Sequence, residues 1–113
     1  MSVGIVTGAS RGLGLALVRA LAERGWLLVV DARGAAVLER AIADLKGVVA
    51  IAGDVADPEH RRALVEAAGD RIDLLVNNAG VLGPSPQPAL AAYPLAELAS
   101  VYEVNVFSPL ALV

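Results

Sequence analysis

The stretch that decides the fold is Thr7-Gly8-Ala9-Ser10-Arg11-Gly12-Leu13-Gly14, which directly follows the apolar run Val3-Gly4-Ile5-Val6. Glycine reaches left-handed backbone angles at low cost and admits other groups close to the main chain. Three glycines at this spacing therefore favour a tight turn from a strand into a helix. The first N–H groups of such a helix lack partners within it and carry the positive end of its dipole. The stretch predicts a turn that binds a phosphate or pyrophosphate group.

The residues after this turn argue against a purely structural role for the glycines. An apolar pattern of helical period runs over 13–24, and a second apolar run, 27–30, ends in Asp31. Asp31 lies 31 − 8 = 23 positions after Gly8. This is close to the roughly 20 positions expected for an acid that binds a ribose hydroxyl in a dinucleotide-binding β-α-β unit.

Strand-like and helix-like segments continue to alternate along the chain. A second amphipathic pattern runs over 38–45, apolar runs of strand length lie at 48–51 and 72–76, and Asp57-Pro58-Glu59 is typical of a helix start. Right-handed crossovers would give a parallel sheet in the order 3-2-1-4, with ligands at the carboxyl ends of the strands. We predict an α/β fold, a Rossmann-type doubly wound parallel sheet, in a single dinucleotide-binding domain over residues 1–113.

Two motifs in order carry a resemblance to a known family. The form Thr-Gly-x3-Gly-x-Gly at 7–14, together with Asn77-Asn78-Ala79-Gly80 after the fourth predicted strand, resembles the short-chain dehydrogenase/reductase family. Asp54-Val55 and Val104-Asn105-Val106 extend the resemblance along the whole chain. It implies an NAD(P)-dependent oxidoreductase that transfers hydride between a nicotinamide and a small carbonyl or alcohol substrate.

The resemblance also implies a set of cofactor-binding residues. Asp54 and Val55 would lie along the adenine, although Asp54 could instead cap its own loop. Asn77 is expected to be structural, tying adjacent strand ends together. The expected cofactor-binding residues are Gly8, Ala9, Ser10, Arg11, Gly12, Leu13, Gly14, Asp31, Arg33, Asp54, Val55, Asn78, Ala79 and Gly80.

The choice between NAD and NADP depends on the end of the second strand. Asp31 would accept a hydrogen bond from a ribose 2′-hydroxyl and repel a 2′-phosphate, which favours NAD. Adjacent strand residues point to opposite faces, so Asp31 and Ala32 cannot both face the ribose. In the family Ala32 occupies the position usual for the NAD-selecting acid, and Arg33 resembles a phosphate-binding arginine. We favour NADP, with a solvated Arg33 and an Asp31 that faces elsewhere as the alternative.

Members of the family also carry a catalytic Ser and a Tyr-x3-Lys pair, which this chain lacks. Its only lysine is Lys46; Glu97 follows Tyr93 by four residues, and Val106 follows Tyr102 by four. We therefore expect the chain to be a cofactor-binding half, truncated before the later strands and doubtful as an enzyme by itself. The alternatives are a non-catalytic nucleotide-binding module and an inactive truncated remnant.

One residue of the family's catalytic tetrad can be assigned to this chain. Pro109 has no N–H, so within a helix the carbonyl of Asn105 loses its usual helical partner and can hold a water. In the family the corresponding asparagine links a water chain to the catalytic lysine, and Asn105 takes that role by resemblance. The alternative is a mere helix kink. The resemblance further implies that this C-terminal helix could form a homo-oligomer contact.

The composition of the chain argues against several other classes of protein and of binding site. Hydrophobic residues make up 57% of the chain and charged residues 19%, which suits parallel strands buried on both faces. The net charge of −3 without a basic cluster argues against nucleic-acid binding. The uncharged stretch 74–96 is broken by four prolines, which argues against a membrane span. The absence of cysteine favours a cytoplasmic setting. His60, the only histidine, is expected in the first turn of a helix, with no metal site.

Overall fold

The computed structural model describes residues 2–79 together with residues 95, 96, 99, 105 and 112. Strands and helices alternate along the first of these ranges, as predicted. The elements are β1 (Val3–Val6), α1 (Gly12–Glu23), β2 (Leu27–Ala32), α2 (Ala35–Ile42), β3 (Val48–Ala52), α3 (Pro58–Ala68) and β4 (Leu74–Val76).

The four strands form one parallel sheet in the order β3-β2-β1-β4. This confirms the predicted Rossmann-type topology. Strand β1 is central among the described strands, and it pairs with β2 from Val3↔Leu27 onward and with β4 from Gly4↔Leu74 onward. Because all four strands run the same way, their carboxyl ends meet at one edge of the sheet. The glycine-rich turn follows β1 at that edge.

Side-chain alternation along the strands builds a core on each face of the sheet. Val6 and Val30 pack with Val18 of α1 and Leu38 of α2 on one face. On the other face Ile5 and Val29 pack with Leu64 of α3. Since successive strand residues point to opposite faces, the residue two positions after Val29 also points towards α3. That residue is Asp31.

Several elements differ from the prediction by one to three residues at an end, α2 and β4 among them. The helix expected over 38–45 is α2, Ala35–Ile42, and it ends earlier because Leu45 N bonds back to the Ile42 carbonyl in a turn, at 2.9 Å. Strand β4 begins at Leu74 instead of residue 72. Just before it, the Asp73 carboxylate accepts a hydrogen bond from Val3 N at 2.8 Å, so a side chain joins β1 to the start of β4. In the described part of the chain, no helix is long and apolar enough to cross a membrane.

This side-chain link leads to a prediction about stability in acid. The hydrogen bond from the backbone N–H of Val3, and then the one from the side chain of Arg71, lower the pKa of Asp73 from 3.8. A lowered pKa in the folded state contributes stability above the unfolded value of 3.8, and this stability is lost as pH falls through the lowered pKa. We expect Asp73→Asn to lower the melting temperature near neutral pH and to flatten its decline in acid. The exposed Asp70→Asn is the control, and equal acid profiles for the two variants would contradict the prediction.

Candidate functional site

The three glycines of the turn between β1 and α1 have distinct structural roles. Gly8 and Gly12 have φ angles of 66° and 62°, in the left-handed region that favours glycine. Gly14 is buried in α1 against the turn. A Cβ on Gly14 would overlap the Gly8 carbonyl oxygen and lie 2.5 Å from Asn78 Nδ2. Gly8 and Gly12 therefore shape the turn, and Gly14 lets the helix approach it.

The N-terminus of α1 is open. Its N-cap residue Arg11 makes no side-chain capping bond, and no acidic residue lies in its first turn. Helix α3 differs, because its N-cap Asp57 accepts a hydrogen bond from Glu59 N at 3.0 Å. Among the residues that the structure describes, no side chain thus caps the first N–H groups of α1. Such a helix start favours a bound anion.

Thr7 and Asn78 hold the segment after β4 against this turn. The buried Thr7 Oγ1 accepts hydrogen bonds from Asn78 N at 3.0 Å and from Ala79 N at 2.9 Å. Asn78 Nδ2 donates to the Gly8 carbonyl at 2.9 Å. The expectation that Asn77 ties the strand ends is corrected here, because the linking amide belongs to Asn78.

A cavity of about 500 Å³ opens at this edge of the sheet. It is bounded by the glycine-rich turn, the end of β2, the start of α2, the loop between β3 and α3, and the segment after β4. The expected site residues that line it are Gly8, Ser10, Arg11, Asp31, Arg33, Asp54, Val55, Asn78 and Ala79. Ala32, Gly34, Val37 and Gly53 also line it and were missed. Their positions at the last residue of β2, just after β2 and β3, or in the first turn of α2 were the available signal.

Other expected site residues lie elsewhere. Ala9 is fully buried in the core beside α1, and its N–H donates to the Asp31 carbonyl at 2.8 Å. Its side chain therefore cannot contact a ligand in the cavity. Gly12, Leu13 and Gly14 belong to the start of α1 and do not line the cavity. Gly80 lies outside the described residues. Asn105 is described and exposed, but Pro109 is not described, so its proposed water site stays a prediction.

Asp31 is among the residues that line the cavity, but its carboxylate is buried and paired within the protein. Its side chain is only 2% exposed. Oδ1 accepts a hydrogen bond from Gly8 N at 2.8 Å, and Oδ2 lies 2.7 Å from His60 Nε2. This geometry does not support the expected bond from Asp31 to a ribose hydroxyl. The physical reason is strand alternation, which places Asp31 on the α3 face of the sheet.

His60 lies in the first turn of α3, where the sequence predicted it, but its partner was not foreseen. Its ring is buried between α3 and the end of β2. Two patterns in the sequence could have indicated this pair. Asp31 lies on the same face of β2 as Val29, and in this fold a later helix must cover that face. An acid and a histidine directed into one interface require each other, because isolated buried polar groups are costly.

Arg33 and Asp54 lie at the mouth of the cavity. Arg33 Nη2 is 3.9 Å from Asp54 Oδ2, and the two side chains are 62% and 47% exposed. Asp54 Oδ1 accepts a hydrogen bond from Ala56 N at 2.9 Å, so this residue does cap its own loop. Its contact with adenine stays a prediction. Within the described residues no cluster of three or more histidine, aspartate or glutamate side chains is placed to hold a metal ion.

A parallel sheet in this order, with an open helix N-terminus at a cavity beyond its carboxyl edge, defines the class of Rossmann-type α/β proteins. The chain belongs to the short chain dehydrogenase family, whose family model matches residues 2–113. It is 44% identical over 108 residues to 1-deoxy-11-beta-hydroxypentalenate dehydrogenase of Streptomyces arenae. That match covers 89% of this chain and 38% of the relative.

Solved structures agree with this membership. The 3-ketoacyl-(acyl-carrier-protein) reductase of Brucella melitensis, complexed with NADH, matches with a TM-score of 0.87 and 31% identity, over 98% of this chain and 46% of that one. A short chain dehydrogenase/reductase of Burkholderia phymatum in complex with NAD matches with a TM-score of 0.89 and 29% identity, over 98% and 41%. The chain spans only 38% to 41% of the length of the first curated relatives.

Proposed function

We propose that this chain forms the cofactor-binding part of an NAD(P)-dependent oxidoreductase acting on a carbonyl or alcohol substrate. The observation that carries the proposal is the open N-terminus of α1 beside a cavity at the carboxyl edge of the sheet. Anions bind such helix starts, and a dinucleotide binds across such an edge. The structures of relatives in complex with NADH and NAD support the same ligand class.

The residues present fit this cofactor. The N–H groups at the start of α1 would hold the pyrophosphate, and Val55 and Asp54 would lie along the adenine. The segment after β4, held by Thr7, would approach a ribose. When bound, the nicotinamide supplies or accepts the hydride. Asn105 is proposed to hold a water near the reacting groups. The absence of cysteine from the sequence favours a cytoplasmic protein, and the segment around Asn105 is proposed to contribute to a homo-oligomer.

We further infer a preference for NADP over NAD. Arg11 and Arg33 both line the cavity. The carboxylate at the end of β2 that would repel a 2′-phosphate belongs to Asp31, and it is buried and paired. The ion pair between Arg33 and Asp54 is long and exposed, so little stability is lost when Arg33 leaves it. A guanidinium binds phosphate through charge-assisted hydrogen bonds.

We expect Arg33→Ala to weaken binding of NADPH and to leave binding of NADH almost unchanged. Loss of one hydrogen bond to a charged group costs about 1.5–3 kcal/mol, or about 10- to 100-fold in affinity. The measurement is titration with each nucleotide, followed by nicotinamide fluorescence and thermal stability. Arg62→Ala is the matched control, because Arg62 is equally exposed and pairs with Glu59 on α3.

The results of these titrations distinguish the NADP preference from the cofactor-binding function itself. Tighter binding of NADH, unaffected by Arg33→Ala, would reject the NADP preference and retain the dinucleotide site. Failure of the folded protein to bind either nucleotide would reject the cofactor-binding function. An equal loss of NADPH affinity in Arg33→Ala and Arg62→Ala would show a general charge effect instead of a phosphate contact.

A further inference from the structure

A buried carboxylate lies directly beneath the turn that is proposed to bind pyrophosphate. Asp31 Oδ1 accepts a hydrogen bond from Gly8 N at 2.8 Å, and Gly8 is the first glycine of that turn. A buried carboxylate is costly unless it is paired, and its negative charge opposes an anion bound nearby. A cofactor site built on this turn therefore needs a group that holds the carboxylate by a hydrogen bond.

His60 is that group. Its Nε2 lies 2.7 Å from Asp31 Oδ2, and the two side chains are 5% and 2% exposed. With the carboxylate ionised, Nε2–H donates to Oδ2 while Gly8 N–H donates to Oδ1. Each carboxylate oxygen then has a hydrogen-bond donor.

The position of the imidazole is itself restricted. His60 follows the Asp57 cap in the first turn of α3, so its backbone is held at the helix start. Its ring packs over the backbone at Gly53, just after β3. A Cβ on Gly53 would overlap His60 Nδ1 and lie 2.8 Å from Cγ and Cε1. The ring can reach Asp31 because residue 53 is glycine.

We propose that His60 is a positioning residue for dinucleotide binding. Acting through the Asp31 carboxylate, it fixes the Gly8 N–H and with it the shape of the pyrophosphate-binding turn. His60 does not line the cavity and does not touch the cofactor. The inference rests on the proposed cofactor-binding function, and it adds a residue from α3 to the support of a turn that lies between β1 and α1.

The test compares His60→Gln with His60→Asn. Glutamine Nε2 is separated from Cβ by the same number of bonds as histidine Nε2, so it can still donate to Asp31, whereas the asparagine amide falls short. We expect His60→Gln to bind NADPH almost as well as the unchanged protein. We expect His60→Asn to bind it about 10-fold more weakly, the effect of one lost hydrogen bond to a charged group. Adenosine 2′-monophosphate, which lacks the pyrophosphate, should bind equally to both variants.

A second readout needs no cofactor. Hydrogen exchange at Gly8 N–H, measured by NMR on the unliganded protein, should be faster in His60→Asn than in His60→Gln. Ala9 N–H is the internal reference, because it donates to the Asp31 carbonyl and not to the side chain. Gly53→Ala is the second variant, since it displaces the ring without removing either polar group. It should reproduce the faster exchange at Gly8 even where His60→Asn fails to fold.

Two results would overturn the inference: unchanged exchange at Gly8 when the ring is displaced, or an equal loss of binding for NADPH and adenosine 2′-monophosphate. Failure of the unchanged protein to bind NADPH and NADH would instead reject the proposed function. The exchange at Gly8 would still decide whether His60 positions the turn.

Discussion

Gly14→Ala is expected to abolish dinucleotide binding and to lower the free energy of unfolding by about 3 kcal/mol, the upper end of the usual range for overpacking. The added Cβ would overlap the Gly8 carbonyl oxygen and lie 2.5 Å from Asn78 Nδ2. Both neighbours are anchored, because Asn78 Nδ2 donates to that same carbonyl at 2.9 Å. Helix α1 must therefore move away from the turn, and the N–H groups at its start move with it. Chemical denaturation and titration with NADPH measure the two effects.

Gly34→Ala is the matched control for this prediction. Gly34 has a φ angle of −90°, and a Cβ there would lie 4.0 Å from its nearest neighbours, atoms of Val37. Gly34 is the N-cap of α2, where alanine is less favourable than glycine, and this cost opposes the gain of about 0.4–1 kcal/mol through the unfolded state. Stability should therefore change by less than about 1 kcal/mol. A Gly14→Ala protein as stable as Gly34→Ala would show that α1 and the turn are not in the close contact described above.

Thr7→Val should lower the free energy of unfolding by about 2 kcal/mol or more, because each unsatisfied buried donor costs about 1–3 kcal/mol. Valine has the shape of threonine but removes the oxygen that accepts from Asn78 N and Ala79 N. Both donors lie in the segment that closes the cavity after β4. Binding of NADPH should fall as well, since this segment loses its anchor to β1.

Thr7→Ser distinguishes the contribution of the hydroxyl group to stability from that of the methyl group. Serine keeps the oxygen and loses one methyl, which costs about 0.8 kcal/mol by burial alone. Denaturation curves should therefore rank the unchanged protein first, Thr7→Ser second and Thr7→Val third. If Thr7→Val proves as stable as Thr7→Ser, the two hydrogen bonds to Oγ1 do not hold the segment after β4.

Parts of the site could be predicted from the sequence because short local patterns encode them. The glycine spacing at 8, 12 and 14 encodes a local backbone shape, and each apolar run encodes one strand. Asp57-Pro58 marks the start of α3, and the structure begins that helix at Pro58. Such signals act within a few residues of one another. They do not depend on how distant parts of the chain pack.

The side-chain partners could not be predicted in the same way. Asp31 and His60 are 29 positions apart, and their contact depends on which face of β2 points towards α3. Asn78, not Asn77, bonds to Gly8, because the register of β4 against β1 decides which amide reaches the turn. The burial of Ala9 also depends on tertiary packing, because its methyl group lies in the core between α1 and the sheet.

The sequence by itself determined the alternation of elements, the strand order and the edge at which the cavity forms. It could do so because local backbone preference and the handedness of crossovers leave few arrangements open. Only the tertiary structure decided the long-range partners of the polar groups at that edge. The burial of Asp31 against His60 and the anchoring of Asn78 depend on packing between elements far apart in the chain, whereas the loop cap made by Asp54 is local. A buried polar group bonds to whatever the fold brings within reach, and that is a property of the whole fold.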